Sequence, residues 1–273
     1  MKENVQSRLK KLGIRPTQTL GQNFLRKETI AEKIVDAAEI YSKDTVLEIG
    51  PGLGILTDKI MEKASNTILV EKDDSLVGYL EGKYGDKDED IEIINDDVLE
   101  LDLPDFDKVI SNLPFSISSP VTFKLLKNDF EWGVCTYQKQ FAERMVAEAG
   151  EEEYSRLSVM VSTLARVESL FRIPRNEFYP PPKVDTAVVR IIPSRPDFPL
   201  KYDDAFSKVV KALFNYRRKK IKNALSTALD KEIKKVPYKD KRVGKLPPDK
   251  INELVNYLIE KDMIDDLEGS SEE

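Results

Sequence analysis

A short apolar run near the start of the chain leads directly into three closely spaced glycines. The run Thr45–Ile49 is followed by Gly50-Pro51-Gly52-Leu53-Gly54, and helical spacing begins at Leu56. This pattern predicts a buried strand, then a glycine loop, then a helix. Glycines let the backbone approach a ligand closely at the carboxyl end of such a strand, where open α/β sheets bind ligands. The spacing GxGxG at Gly50 and Gly52 differs from the GxGxxG of dinucleotide-binding proteins, and the chain has no GxxxxGK[ST] phosphate loop.

Carboxylates follow the next two predicted strands. The strand Thr67–Val70 ends at Glu71, whose carboxylate can accept hydrogen bonds from both hydroxyls of a ribose. The strand Ile91–Ile94 leads into Asp96 and Asp97, where a carboxylate can accept from the amine of an adenine. Together with the glycine loop, this set predicts an adenosine-bearing cofactor without a pyrophosphate, and S-adenosylmethionine is the obvious one. The alternative is a glycine turn with unrelated surface acids.

A fourth predicted strand, Lys108–Ser111, leads into Asn112-Leu113-Pro114-Phe115. The exocyclic amine of a base is a weak nucleophile, because its lone pair is delocalised into the ring. The Asn112 side-chain oxygen and the Leu113 carbonyl can accept its hydrogens, Pro114 can fix the turn, and Phe115 offers a face for stacking. This is catalysis by positioning and electrostatics, on a base that is unpaired or flipped out of its duplex. The alternative is an ordinary proline turn beside a core phenylalanine.

Alternating strands and helices must position these motifs. Two later runs, Trp132–Tyr137 and Thr186–Ile192, also read as strands, and helical patterns lie between the strands. The alternation predicts βαβ units and an α/β fold with a mostly parallel sheet. After residues 193–196 only helical patterns remain, over Ala205–Leu229 and Pro248–Ile259. We therefore predict a domain over residues 1–196 and a small all-helical domain over residues 197–273.

Charge is distributed unevenly along a chain whose formal net charge is −6. Residues 208–250 have a balance of +11 and residues 1–33 a balance of +5. A polyanion responds to the local field, which decays over about 8 Å at physiological salt, so this pattern favours a nucleic-acid partner. The residues expected to contact phosphates are Arg217, Arg218, Lys219, Lys220 and Lys222. Residues on one helix cannot all face the same way, so solvation is the alternative for two or three of them.

Composition excludes several classes of function. The 273 residues include no histidine, which rules out Ser-His-Asp triads, histidine general bases and the usual histidine-containing zinc sites. The single cysteine, Cys135, excludes an internal disulfide framework and indicates a reducing compartment. No apolar run approaches the ~20 residues of a membrane span, and no signal sequence or metal-ligand spacing is visible. We therefore predict a cytoplasmic protein with no membrane and no metal partner.

At this point the chain, from about Leu20 to Leu225, resembles the ribosomal RNA adenine dimethyltransferases, specifically the small-subunit type. Glu48–Gly54 resembles the first methyltransferase motif of the family, and Asn112–Phe115 resembles its target-amine motif, usually with Tyr at the last position. Leu20–Leu25 resembles the N-terminal motif, which closes over the methionine end of the cofactor. The resemblance implies the class I S-adenosylmethionine methyltransferase fold, which is Rossmann-like, and cofactor contacts from Gln22, Asn23, Leu25, Gly50, Gly52, Glu71, Asp97 and Asn112.

Two later segments extend the resemblance. Phe178–Thr186 is similar to the late proline motif of the family, which implies that Phe178 is a second aromatic flanking the target adenine. Leu213–Lys220 resembles the start of the helical domain. The family usually has Ser where Thr186 stands, and Gly where Ser155 stands.

The resemblance implies a monomer that makes two successive methyl transfers from S-adenosylmethionine to the amines of two adjacent adenosines. These lie in a loop near the 3′ end of small-subunit rRNA, within an assembling ribosomal particle. Two alternatives come from the same superfamily, an Erm-type large-subunit enzyme and a DNA adenine methyltransferase. A third is a non-enzymatic assembly factor, or a transcription factor derived from the family, that binds S-adenosylmethionine.

Overall fold

The computed structural model describes residues 4–16, 21–85 and 90–263. The chain divides into two compact units. The first comprises residues 1–142 and 167–193, and the second comprises residues 143–166 and 194–273. The predicted boundary at residue 196 therefore lies close to the observed one at residue 193, but residues 143–166 belong with the second unit. Residues 264–273 of the predicted second domain lie outside the described residues.

A seven-stranded sheet forms the framework of the first unit, in the order β4-β3-β2-β5-β6-β9-β7. The neighbours from β4 to β6 pair in parallel, and β9 pairs antiparallel to β6, which confirms the prediction of a mostly parallel sheet. A separate antiparallel ribbon joins β1 and β8. The strands in the described parts of the chain are β1 (Phe24–Leu25), β2 (Thr45–Ile49), β3 (Asn66–Glu71), β4 (Ile91–Asn95), β5 (Lys108–Ser111), β6 (Trp132–Gln138), β7 (Ala165–Ile173), β8 (Phe178–Tyr179) and β9 (Thr186–Pro193).

Helices connect the strands of the sheet and make up most of the second unit. They are α1 (Val5–Lys11), α2 (Glu28–Asp36), α3 (Thr57–Ile60), α4 (Asp74–Tyr84), α5 (Ser118–Leu125), α6 (Lys139–Val146), α7 (Arg156–Ser162), α8 (Asp203–Phe214), α9 (Ile221–Ala228) and α10 (Pro248–Glu260). The Asp73 carboxylate caps α4 by accepting from the backbone N–H groups of Ser75 and Leu76 at 3.0 and 3.4 Å. Over the residues that the structure describes, no helix is long and apolar enough to cross a membrane.

Residues 143–166 join the second unit because their side chains complete its core. Tyr154 and Val159 are buried in one apolar cluster with Phe206 and Ile251. The Tyr154 hydroxyl also donates to the Leu246 carbonyl at 2.9 Å. Burial of these side chains against α8 and α10 is favourable by roughly 1.5–3 kcal/mol for each large apolar residue. The sequence pattern of a continuous α/β domain up to residue 196 did not reveal this packing.

The structure adds two local details to the second unit. The helical pattern predicted over Ala205–Leu229 corresponds to two helices, α8 and α9. The linker between them pairs with a later segment, since the Ile221 N–H donates to the Lys241 carbonyl at 2.9 Å and the Val243 N–H to the Lys219 carbonyl at 3.0 Å. Ser155, where the family usually has Gly, has φ −143° and precedes α7, and its N–H donates to Ser158 Oγ at 2.9 Å. That conformation requires no glycine.

Candidate active site

The order of the sheet creates a crevice between β2 and β5. The chain runs from β2 outwards to β3 and β4 on one side, and β5 and β6 lie on the other side. Ligands bind outside the carboxyl ends of the strands at such a switch point. A cavity of about 240 Å³ opens there, and all eight predicted cofactor residues line it: Gln22, Asn23, Leu25, Gly50, Gly52, Glu71, Asp97 and Asn112. Leu20, the first residue of the N-terminal motif, lies outside the described residues.

The glycine loop after β2 has a backbone that other residues cannot easily adopt. Gly50 and Gly52 have φ +66° and +60°, in the left-handed region. A Cβ on Gly52 would lie 2.9 Å from the ring of Phe24. The loop therefore turns tightly beneath the N-terminal motif, and its backbone faces the cavity.

The carboxylate of Glu71, at the end of β3, is held in place by hydrogen bonds from backbone N–H groups. Its Oε1 accepts from the N–H groups of Lys72 and Asp73, both at 3.0 Å, and its Oε2 accepts from Gly52 at 3.3 Å. Burial raises the pKa of this carboxyl, and the three hydrogen bonds act in the opposite direction by lowering it. Three of about four acceptor positions on a carboxylate are thus used, and the remaining capacity for a ribose hydroxyl lies on Oε2.

Asp97 lies beyond β4 and remains an acceptor. Its Oδ2 lies 2.6 Å from Lys72 Nζ, and its Oδ1 accepts from the Leu99 N–H at 2.9 Å. The Lys72 ammonium is the largest cause that holds the pKa of Asp97 below its usual value. An ionised carboxylate accepts hydrogen bonds only, which suits an adenine amine.

The carboxamide of Asn112 is held at both ends. Its Nδ2 donates to the Asn23 carbonyl at 2.8 Å, and its Oδ1 accepts from the Thr136 hydroxyl at 2.6 Å. An amide oxygen has two lone pairs, so one remains for a further donor. Thr136 is fully buried in β6 and was missed by the sequence predictions. No sequence signal points to Thr136, because the register that pairs Ser111 with Cys135, and so brings Asn112 beside Thr136, is known only from the structure.

The other residues predicted to act on the target base divide into two groups. Pro114 lines the cavity beside Asn112, and Leu113 is buried behind it. Phe115 is half-buried and begins a short 3-10 turn, Phe115–Ile117. Phe178 is only 1 % exposed and packs in the apolar core. Neither phenylalanine lines the 240 Å³ cavity, so the structure does not bring them together around it.

Glu48 is an acidic residue of the cavity wall that the sequence predictions did not assign to the cofactor. It is 1 % exposed, and Thr57 Oγ1 donates to its Oε2 at 2.6 Å. Burial, the largest cause, raises the pKa of Glu48 to about 8. At neutral pH the folded protein therefore holds this carboxyl mainly in its neutral form.

Glu48→Gln is expected to remove a pH dependence of stability. Between about pH 4.5 and pH 8 the unfolded carboxyl ionises while the folded one stays protonated, so wild type loses stability relative to the variant as the pH rises. Below about pH 4.5 the difference is constant, and above pH 8 it is constant again. Urea unfolding of both proteins at pH 5, 6, 7 and 8 measures the difference. A difference that does not change with pH would show that Glu48 is ionised in the folded state.

A model of one protein family, Ribosomal RNA adenine dimethylase, matches residues 15–260. This range includes the glycine loop, the Asn112 motif and most of the second unit. The chain belongs to the ribosomal RNA adenine dimethylase family. It is therefore an rRNA adenine dimethyltransferase, and the family implies S-adenosylmethionine as the methyl donor.

Relatives and solved structures of rRNA-modifying enzymes match over most of the chain. A probable ribosomal RNA small subunit methyltransferase A from Thermococcus gammatolerans is 42 % identical over 268 residues, which cover 94 % of this chain and 95 % of the relative. A crystal structure of a dimethyladenosine transferase from Plasmodium falciparum has a TM-score of 0.75 at 28 % identity and covers 88 % of this chain and 98 % of that one. A crystal structure of the 23S rRNA methyltransferase ErmE has a TM-score of 0.66 at 25 % identity, and the match covers 87 % of this chain and 100 % of that one. The class I S-adenosylmethionine methyltransferase fold is thereby confirmed.

In this dimethylase, Arg217 makes hydrogen bonds that the sequence did not predict. Its Nη2 donates to the Glu151 carbonyl at 2.6 Å, and its Nε donates to the Tyr154 carbonyl. The guanidinium thus links the segment between α8 and α9 to residues 143–166 within the second unit through two of its five donors. Its contact with a phosphate stays a prediction.

The other predicted basic residues of the dimethylase are accessible. Arg218, Lys219 and Lys220 are exposed. Lys220 and Lys222 lie 3.3 and 3.8 Å from Asp240, in pairs whose side chains are all at least 39 % exposed. Such surface pairs contribute little to stability, so these side chains can turn to a polyanion at low cost.

In the described part of the chain, no group of three or more Cys, Asp or Glu residues is arranged to hold a metal ion.

Thr136→Val is expected to lower kcat for methyl transfer by about 10- to 100-fold, since the buried hydroxyl that orients the Asn112 amide is lost. The KM for S-adenosylmethionine should change by less than threefold. Initial rates with labelled S-adenosylmethionine measure both constants. Thr136→Ser keeps the hydroxyl and is the control that should retain most of the rate. Equal kcat in wild type and Thr136→Val would contradict an orienting role.

Proposed function

We propose that the chain transfers methyl groups from S-adenosylmethionine to the amines of two adjacent adenosines in a loop near the 3′ end of small-subunit rRNA. It acts as a monomer in the cytoplasm on an assembling ribosomal particle. One observation carries the proposal: the doubly anchored Asn112 carboxamide lies on the wall of the cavity formed by the glycine loop, Glu71 and Asp97. The small-subunit specificity is supported by the name of the Thermococcus relative.

The cavity fits the adenosine part of the methyl donor. Glu71 would accept a ribose hydroxyl on Oε2, and ionised Asp97 would accept from the adenine amine. Gln22, Asn23 and Leu25 would lie against the methionine part, with Gly50 and Gly52 giving the backbone room. S-adenosylmethionine supplies an electrophilic methyl group on a sulfonium ion.

The residues after β5 would position the nucleophile. The free lone pair of Asn112 Oδ1 and the Leu113 carbonyl would accept the two hydrogens of the target amine, which draws its nitrogen towards a tetrahedral geometry. Pro114 would fix the turn. Phe115 and Phe178 would flank the adenine, and reaching it would require Phe178 to emerge from the core in which it packs. No histidine would be needed, because the amine would attack with its lone pair as the methyl–sulfur bond breaks to leave a neutral thioether, and the methylated nitrogen would then lose its proton to solvent water.

The second unit would bind the phosphate backbone of the RNA. Arg218, Lys219, Lys220 and Lys222 lie on the linker and start of α9, where the chain is paired with Lys239–Val243. Exposed cations on both segments would release counterions on binding phosphates. Loops are where proteins read RNA bases, which agrees with a substrate whose target adenosines are unpaired.

The test is methyl transfer from labelled S-adenosylmethionine to unmethylated small ribosomal subunits, to naked small-subunit rRNA and to large-subunit rRNA. Products are digested to nucleosides and identified. Dimethyladenosine formed mainly on small subunits is the expected result. Label found mainly on large-subunit RNA would replace the proposal with the Erm-type activity. Binding of S-adenosylmethionine with no label on any substrate would favour a non-enzymatic assembly factor.

A further inference from the structure

A second concavity lies on the first unit, apart from the cavity that holds the predicted cofactor residues. Its volume is about 490 Å³, and the residues that line it are Arg26, Arg175, Asn176, Phe178, Tyr179, Pro181 and Pro182. Of these, only Phe178 has a role in the proposed function.

The lining combines an apolar floor with a cationic rim. Phe178 and Pro182 are buried, and Tyr179 is half-buried. Arg26 and Arg175 are exposed, and among the described residues their guanidinium groups donate to the carbonyls of Asn176 at 3.2 Å and Lys183 at 3.4 Å. A floor of rings with arginines at its edge suits a ligand that has a flat apolar part and negative charge.

Of the two carboxylates beside the rim, that of Glu177 is paired with a lysine, whereas that of Asp185 keeps its charge and is turned to a backbone group. Glu177 pairs with Lys27 at 2.8 Å, and Asp185 accepts from the backbone N–H of Arg175 at 3.0 Å. Both acids are therefore engaged by groups other than the guanidinium ends of Arg26 and Arg175. An anion at the rim would meet two arginines whose planar forks match phosphate oxygens.

The concavity is connected to the active-site cavity through the β1–β8 ribbon. Leu25 lines the active-site cavity and pairs with Phe178, which lines the concavity. Arg26 follows Leu25 and is three residues from Asn23, whose carbonyl anchors Asn112. Three residues of extended chain span about 10 Å. A short single strand with one base at Asn112 could therefore have its next nucleotide at the concavity.

We infer that this concavity holds the nucleotide next to the target adenosine. Its base lies on the floor formed by Tyr179 and the prolines, and Arg26 and Arg175 bind the adjoining phosphates. Single-stranded RNA is commonly held in this way, by stacking on rings together with cationic contacts to the backbone. The inference rests on the proposed function, because it takes the target to be an adenosine in an RNA loop.

The test uses the double variant Arg26→Gln/Arg175→Gln of the full chain. A fluorescein-labelled 3′ fragment of small-subunit rRNA is titrated with wild type and variant at several salt concentrations. We expect affinity to fall about tenfold, and the slope of log K against log[salt] to fall by about 1.4, the value for two phosphate contacts on a single strand. The matched control is Lys43→Gln/Lys127→Gln, which removes the same charge from exposed residues that precede β2 and β6 at the opposite edge of the sheet; its affinity and slope should stay close to wild type.

Catalysis separates this inference from the proposed function. On small subunits, the double variant should raise the KM for the subunit about tenfold and leave kcat and the KM for S-adenosylmethionine within twofold of wild type. Unchanged RNA affinity and salt slope would overturn the inference, even with wild type fully active. A higher KM on particles with unchanged binding of the RNA fragment would assign the concavity to a ribosomal protein and also overturn it. A wild type that methylates no small-subunit RNA contradicts the proposed function instead.

A second measurement locates the base itself. The nucleotide beside the target adenosine is replaced by 2-aminopurine, whose fluorescence is quenched when it stacks. Quenching on binding wild type and the lysine control, and weaker quenching with Tyr179→Leu at saturating protein, is the expected pattern, because Tyr179 forms part of the floor on which the base stacks. Equal quenching in all three proteins would overturn the placement of this base.

Discussion

Asn112→Ala is expected to lower kcat for methyl transfer by about a thousandfold or more. Loss of one preorganised partner of the reacting group costs 10²–10³ in rate in comparable sites. Here the substitution also removes the donor to the Asn23 carbonyl, and Asn23 lines the same cavity. The KM for S-adenosylmethionine should therefore rise as well. Single-turnover transfer of labelled methyl groups to small subunits measures the rate constant, and calorimetry measures cofactor binding.

Asn128→Ala is the matched control for this experiment. Asn128 donates its amide to the Lys124 carbonyl at the end of α5, in the same unit and away from the cavity. Its kcat should stay within twofold of wild type. Asn112→Asp should recover part of the rate, because it restores an acceptor for the amine but sets a carboxylate against the Asn23 carbonyl. A rate for Asn112→Ala within tenfold of wild type would contradict the role proposed for this residue.

Asp44→Ala is expected to lower the free energy of unfolding by about 3–5 kcal/mol, as for other buried ion pairs broken on one side. Lys108 in β5 and Asp44 before β2 are both 0 % exposed, and the two charges form a direct ion pair. The Lys108 ammonium also donates to the Glu39 carbonyl at 3.0 Å and lies over the rings of Tyr41 and Trp132. Without the Asp44 carboxylate, this buried charge is left with a longer ion pair, at 3.4 Å, to the exposed Glu131.

Urea unfolding at pH 7 measures the effect of Asp44→Ala. The control is Asp36→Ala, which breaks an ion pair with Lys63 in which the two side chains are 66 % and 38 % exposed. Solvent screens that pair, so the control should lose far less stability. Asp44→Leu/Lys108→Met removes both charges and should recover much of the loss. A loss of less than about 1 kcal/mol in Asp44→Ala would contradict the importance of the buried pair.

Several parts of the site could be predicted because the signal is local in sequence. The glycine loop, Glu71 and Asp97 follow strands whose apolar runs are short and well bounded. The strands predicted at Thr45–Ile49 and Lys108–Ser111 agree with the structure residue for residue. The carboxyl ends of neighbouring parallel strands meet at one edge, so identifying the strands was sufficient to bring the glycine loop, Glu71 and Asp97 together, whereas Gln22, Asn23 and Leu25 were expected from the family resemblance alone.

Other features escaped the same approach. The strand β7 alternates charged and apolar residues in an irregular way, with a half-buried pattern that resembles neither a clean strand nor a helix. The break between α8 and α9 depends on hydrogen bonds from residues 219–222 to residues about twenty positions later. Propensity along a short window contains no information about such partners.

The sequence by itself determined the fold class, the edge of the sheet at which the cofactor binds, and the motif that follows β5. The reason is that strand periodicity and glycine spacing are properties of contiguous residues. Only the tertiary structure showed that the Thr136 hydroxyl bonds to the Asn112 amide and that Arg217 bonds to carbonyls of residues 143–166. It also showed that backbone N–H groups occupy most of the acceptor positions of the Glu71 carboxylate. These contacts join residues from 19 to 66 positions apart, except for those from the backbone N–H groups of Lys72 and Asp73 to Glu71. The geometry of a hydrogen bond between distant residues is set by strand register and packing, which no local pattern specifies.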